Sequence, residues 1–313
     1  MRESFLKGAH PFIKLVFLVF LMLSSFFIFS FLGVLLAIPL FHTSVTEIMT
    51  LASNVQDARS IDLLKYLQLV QTFSLFIIPP FVFVFLEKER ISRYFGFDQP
   101  AGKNSCLVVF VMVVALMPVN NFLSHWNQNI VFPEALKGLE QMLRAMEKSA
   151  EELTRAFMEM RSWGGYLFNI FLIALLPAVG EELTFRGVIQ PLFIRWTRSA
   201  HAGIIITGAI FSFFHFQFFG FVPRWLLGIV FGYLFYWSRT LWVPMTAHFF
   251  NNALAVTAYW LAGSEQVEQE YDSIGVKDIY LLAGMIILAL SLWWFYRNRK
   301  EPLPDSGITG PGM

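Results

Sequence analysis

Apolar residues run through this chain in long unbroken stretches, and polar residues collect in the short segments between them. A helix needs about 20 mostly apolar residues to cross the hydrocarbon of a bilayer. The pattern predicts such helices near residues 13–40, 66–86, 105–123, 163–180, 202–220, 222–238, 241–262 and 279–297. The runs do not alternate as a half-buried strand would, and backbone in lipid satisfies its hydrogen bonds within helices or a closed barrel. The expected fold class is all-α, a polytopic transmembrane helical bundle of about eight spans. Between the third and fourth spans the pattern changes. From Pro133 to Met160, apolar Leu136, Leu139, Met142, Leu143, Met146, Leu153 and Phe157 recur at helical spacing among charges. This predicts an amphipathic interfacial helix over 133–160, serving as a structural cap or as a lid or guide over a site beneath it.

Composition agrees with a membrane protein. The 313 residues are 56% hydrophobic and 14% charged, against roughly 45–50% and about 25% in soluble domains. A net charge of +1 gives no reason to expect nucleic acid as a partner. The single cysteine, Cys106, excludes an intramolecular disulfide framework and a cysteine-rich zinc site; it is expected to be a small buried hydrophobe. The first apolar stretch, Phe12 to Phe41, exceeds the roughly 7–15 residues of a signal-peptide core, so it reads as a retained span. Lys and Arg collect before the first span, between the second and third (Lys88, Arg90, Arg93, Lys103), after the fourth (Arg195, Arg198) and after the last (Arg297, Arg299, Lys300). Glu265, Glu268, Glu270 and Asp272 mark an opposite loop. The positive-inside rule then puts both termini in the cytoplasm of a multi-pass protein of the cytoplasmic (inner) membrane. The organisation reads as accessory helices over 1–162, a core over 163–262, a final span within 263–300, and a Pro- and Gly-bearing disordered tail over 301–313.

Three polar clusters interrupt the apolar C-terminal half: Glu181-Glu182-Leu183-Thr184-Phe185-Arg186, then Phe211-Ser212-Phe213-Phe214-His215, then His248-Phe249-Phe250-Asn251-Asn252. Ionisable groups at membrane depth are costly, which makes each a functional-site hypothesis by default. Pro177 and Gly180 are expected to disturb the preceding span, so that the acids fall in the first turns of a new helix. Glu182 and Arg186, four apart, share a face and form an ion pair. Glu181, about 100° round the helix, points elsewhere and is free to act as a base. Each cluster also has a plain structural account: acids at a helix N-terminus, a satisfied core histidine, a His–Asn contact between helices. Of six histidines, however, only His215 and His248 lie well inside expected spans, both near the paired acids. Such a set can activate a water and stabilise an oxyanion, or ligate zinc. It has no His-Glu-x-x-His zinc helix.

Glu-Glu-x-x-x-Arg, then Phe-x-x-x-His about 30 residues on, then His-x-x-x-Asn about 30 beyond, resembles the CPBP family of intramembrane CAAX-type prenyl proteases and bacteriocin-processing enzymes, which includes abortive-infection proteins. The resemblance covers roughly residues 163–262. It implies an intramembrane endopeptidase in which Glu181 activates water, His215 assists, and His248 and Asn252 stabilise the oxyanion. Glu182 and Arg186 would hold the first motif in shape. No cofactor is required on this glutamate reading; a zinc-dependent peptidase is the alternative. The partners implied are membrane lipid and a peptide or membrane-anchored protein substrate. From a different class, a scaffold, immunity or transport protein retaining the fold is the rival. Proton relays also use intramembrane acids and histidines, but transporters often show inverted repeats, and no internal repeat is visible in this sequence.

Overall fold

The computed structural model describes Leu6 and residues 8–52, 57–263 and 278–300, and the described residues are helical with no strand. The first helix, α1 (Pro11–Phe41), begins with a proline in its first turn, where the missing N–H costs nothing, and His10 caps the N–H of Phe12. It buries one stripe, Lys14, Leu18, Met22, Ser25, Gly33 and Ala37. Its other faces expose Phe12, Val16, Phe20, Phe27 and Leu36. Outward apolar side chains are what a helix surrounded by lipid requires. The same rule accounts for Cys106, which lies exposed beside exposed Leu107 and Phe110. The expectation of a buried thiol fails because the lipid-facing side of the helix accepts apolar groups as readily as the core.

After α2 (Val45–Ala52), the chain returns through α3 (Ala58–Thr72) and α4 (Ile78–Glu87), joined by a π-helical turn over Phe73–Ile77. A short α5 (Ile91–Tyr94) leads to α6 (Ser105–Gln128) and then α7 (Lys137–Met158), the amphipathic helix. Residues 163–197 form one long helical passage: α8 (Trp163–Asn169), a π turn over Ile170–Leu175, α9 (Leu176–Glu182), a second π turn over Leu183–Ile189, and α10 (Gln190–Thr197). Then follow α11 (Ala200–Phe213), α12 (Phe221–Ser238), α13 (Trp242–Ala262) and α14 (Asp278–Arg297). Among the described residues six helical stretches are long and apolar enough to cross a membrane, α11 is a shorter apolar helix, and α13 is a 21-residue helix packed among them, roughly in keeping with the eight expected spans.

The expected break at Pro177 and Gly180 is absent. Proline removes one donor and crowds the carbonyl a turn earlier. Here Pro79, Pro177 and Pro191 each follow directly on a π turn, whose looser ladder absorbs the lost bond. Glu181 and Glu182 therefore sit mid-helix rather than at an N-terminus. The span expected over 202–220 also ends early: α11 stops at Phe213, and His215 occupies the turn before α12. The loop with Glu265, Glu268, Glu270 and Asp272 and the tail over 301–313 lie outside the described residues.

α11 and α12 form a hairpin whose two limbs meet at Gly208 and Gly228. A Cβ on Gly228 would lie 2.8 Å from the Gly208 Cα, so only paired glycines permit this approach. Both limbs end on one side of the bundle. There Lys300 N donates to Trp237 O at 2.9 Å and Leu241 N to Phe95 O at 3.2 Å. Gly96 turns the chain beside them with φ +66°; a Cβ there would lie 2.2 Å from Arg239 O. The opposite side carries α7. Its Glu147 accepts from Phe219 N at 3.1 Å, and the Arg144 guanidinium lies 4.2 Å from the centre of the Phe219 ring. Leu139, Met142 and Met146 remain exposed on the outer side of α7, the geometry of an interfacial helix.

Candidate active site

The π turn over Leu183–Ile189 and the helix before it bring the acids to the centre of the bundle. Glu182 and Arg186 are completely buried, with Arg186 Nη1 donating to Glu182 Oε1 at 2.7 Å. A buried ion pair is costly where its remaining polar atoms lack partners, and Glu182 Oε2 and Arg186 Nε have none among the described residues. Arg186 Nη2 donates to Gly228 O at 3.1 Å, and its guanidinium lies 4.6 Å from the Phe211 ring centre and 5.5 Å from that of Phe231. The first motif is thereby tied to both limbs of the α11–α12 hairpin.

Glu182 Oε1 also accepts from His248 Nδ1 at 2.9 Å. A carboxylate accepts, so Nδ1 carries the proton and Nε2 is turned to the other side of the ring. There it faces Glu181 Oε2 at 3.9 Å. That oxygen is buried and has no hydrogen-bond partner among the described residues. The imidazole is fixed from both faces, stacked on Phe231 at 5.3 Å and edge-on to Phe211 at 5.9 Å. Asn252, one turn further along α13, donates from Nδ2 to Ile173 O at 3.1 Å and accepts from Asn251. The carbonyl of Ile173 lies in the first π turn, so the irregular backbone has a local use: it offers an acceptor to the amide. The second N–H of that amide is free of this bond.

His215 stands slightly apart. Its Nδ1 pairs with Phe211 O at 3.0 Å; a carbonyl only accepts, so Nδ1–H donates and Nε2 is left as an acceptor. Its ring reaches the centre through Phe211, 5.1 Å away, which also touches His248, Phe185 and Arg186. The structure thus brings Glu181, Glu182, Arg186 and His248 into contact, holds Asn252 on the adjoining turn, and joins His215 to them across one aromatic ring. Among the described residues no group of three or more His, Cys, Asp or Glu side chains is arranged to hold a metal ion. Zinc is held by about three such ligands, and no such geometry is preformed among the described residues. Phe211, the Phe of the Phe-x-x-x-His motif, and Phe231 clamp both Arg186 and His248; Phe231 was not singled out from sequence, and among 36 phenylalanines nothing in the pattern marks it.

The family comparison bears on this region. Residues 163–254 match the family model for type II CAAX prenyl endopeptidases, described as Rce1-like. This segment is Rce1-like. A stretch of 93 residues is also 34% identical to the Bacillus subtilis (strain 168) protein named "Uncharacterized protein YpbD", covering 28% of this chain and 43% of that one. The chain therefore matches less than half the length of this curated relative. No solved structure matches. The Rce1-like segment runs from the start of α8 into α13 and contains Glu181, Glu182, Arg186, His215, His248 and Asn252.

Proposed function

We propose that this protein is an intramembrane endopeptidase of the CAAX-protease-like type, hydrolysing a peptide bond in or beside the bilayer with glutamate-activated water. The observation that carries this reading is Glu181 Oε2, a buried acceptor without a hydrogen-bond partner, 3.9 Å from His248 Nε2. That separation is too long for a direct hydrogen bond, yet a water at about 2.8 Å can touch both atoms. Glu181 takes the proton of the attacking water as the C–O bond forms and returns it to the leaving amine as the C–N bond breaks. When Nε2 as well as Nδ1 carries a proton, His248, oriented by Glu182, donates to the oxyanion that forms, beside the second N–H of Asn252. His215 Nε2 is an acceptor for proton traffic at the edge of the site. Glu182 and Arg186 position His248 and take no part in the bond changes. Both termini face the cytoplasm on this reading, as the Lys and Arg distribution supports; reporter fusions after Lys300 check it.

The test is cleavage of a panel of membrane-tethered peptides by detergent-purified protein, wild type beside Glu181→Gln, with bound metal quantified on both. The glutamate reading expects cleavage by the wild type, none by the folded variant, and activity that does not follow metal content. Full activity in Glu181→Gln removes this residue from the mechanism. Activity that rises and falls with zinc moves the reading to a metallopeptidase.

A further inference from the structure

Beneath α7 lies a cavity of about 760 Å³, within the range of ligand sites and outside the catalytic cluster. Its walls include Asn120, Glu147, Gln217, Arg224, Asn251 and Tyr259. Two of these connect it to the proposed active site: Gln217 is two residues from His215, and Asn251 donates to Asn252 at 3.0 Å. The lining is rich in amides, and Asn120 Oδ1 is buried with no hydrogen-bond partner. Amides carry both donors and acceptors, so such a wall suits a peptide backbone better than an acyl chain.

Arg224 is the only charged side chain between residues 202 and 238. It sits in the first turn of α12, where the helix dipole adds positive potential. Its Nη2 donates to Gln217 Oε1 and its Nη1 to Gln217 O at 3.5 Å. Among the described residues it makes no ion pair; the acid nearest in effect, Glu147, spends an oxygen on Phe219 N. The guanidinium rests on Gly220, where a Cβ would lie 2.4 Å from Nη1. That glycine makes room for the head group to lie flat. The charge is close enough to act on His215.

A buried guanidinium with no carboxylate in direct contact is costly; Glu147 offsets part of that cost from a distance, and a ligand carboxylate would supply the direct contact. Glu147 and Glu151 line the same cavity and would repel a multiply charged anion such as phosphate. A single carboxylate meets less of that repulsion, and Arg155 on the same wall adds a second cation beside Arg224. We propose that Arg224 is a specificity-determining residue that binds a carboxylate of the substrate peptide, held in this cavity within a few residues of the bond to be cut. The assignment rests on the peptidase reading for its substrate, and its test does not.

Binding is measured on Glu181→Gln protein, so that hydrolysis plays no part, with fluorescent octapeptides in matched pairs. One pair differs by an internal Glu or Gln, the other by a free or amidated C-terminus. The acidic member of at least one pair is expected to bind about tenfold or more tightly, the size of one charge-assisted hydrogen bond. The pair that discriminates identifies the carboxylate as side-chain or terminal. Adding Arg224→Gln collapses the difference, Arg224→Lys retains part of it, and Gly220→Ala, which keeps the charge but displaces the guanidinium, weakens it. Thermal melts of each variant establish folding, and Arg224→Lys carries the test if the glutamine form does not fold. Equal binding of both members, no binding, or a difference that survives loss of Arg224 overturns the proposal. Acid-selective binding without cleavage by protein retaining Glu181 refutes the peptidase reading and leaves the carboxylate site standing.

Discussion

Removing either partner of the buried Glu182–Arg186 pair should cost far more than removing both. Arg186→Met leaves the Glu182 carboxylate fully buried, with one bond from His248 and an Oε2 that already lacks a partner. Glu182→Gln leaves the guanidinium facing only Gly228 O and two aromatic rings. Breaking a buried pair from one side costs about 3–5 kcal/mol. Glutamine retains an acceptor, so Glu182→Gln should fall at the lower end and Arg186→Met at the upper. The double variant buries no unpaired charge and should lose about 2–3 kcal/mol less than the sum of the single losses, the scale of coupling between contacting residues. Unfolding of purified protein followed by tryptophan fluorescence gives all four corners of the cycle. Peptide cleavage on the same samples should be lost in the double variant even where stability returns, because His248 Nδ1 no longer has its carboxylate. Single variants within about 1 kcal/mol of wild type, or a strictly additive double, would refute the claim that this pair is a coupled buried unit.

Two further outcomes follow from packing and charge. Gly228→Ala drives a methyl against Gly208 and should cost about 1–3 kcal/mol, whereas Gly138→Ala on α7, with nothing within 4 Å of the added carbon, should gain about 0.5–1 kcal/mol; equal melting shifts would contradict the close approach of α11 and α12. Burial raises the Glu147 carboxyl above its ordinary 4.5, against the opposing pull of Arg224 and the bond from Phe219 N. The folded state then holds that proton more tightly than the unfolded one, so the contribution of Glu147 to stability falls as pH rises from 4.5 through the raised value. Glu147→Gln, which keeps an acceptor for Phe219 N, should lack that slope; wild-type and variant melting curves that remain parallel across this pH range would count against it.

The membrane passes were legible because lipid imposes continuous apolar runs, and the Glu182–Arg186 contact because four residues is one helical turn. What escaped was set by contacts distant in sequence or by backbone irregularity. The bond from His248 to Glu182 spans 66 positions, and no local pattern registers it. Pro177 looked like a break because sequence periodicity assumes a regular ladder, whereas the π turn over Ile170–Leu175 lets the helix continue. His215 was read inside a span because its aromatic neighbours are apolar; positive φ at Phe216 instead marks a turn. Arg224 had a visible signal, a lone charge in an apolar stretch, but its meaning depends on α7, which sequence could not place over it.

The contact of α7 with Phe219 makes the bilayer a mechanical input. The helix presents Leu139, Met142 and Met146 outward while Glu147 and Arg144 grip a residue four positions from His215. A lateral or vertical pull on the outer side would therefore reach, through one hydrogen bond and one stacked cation, the turn that carries His215. If the site is catalytic as proposed, cleavage should differ between bilayers of different thickness, and Glu147→Gln should reduce that difference.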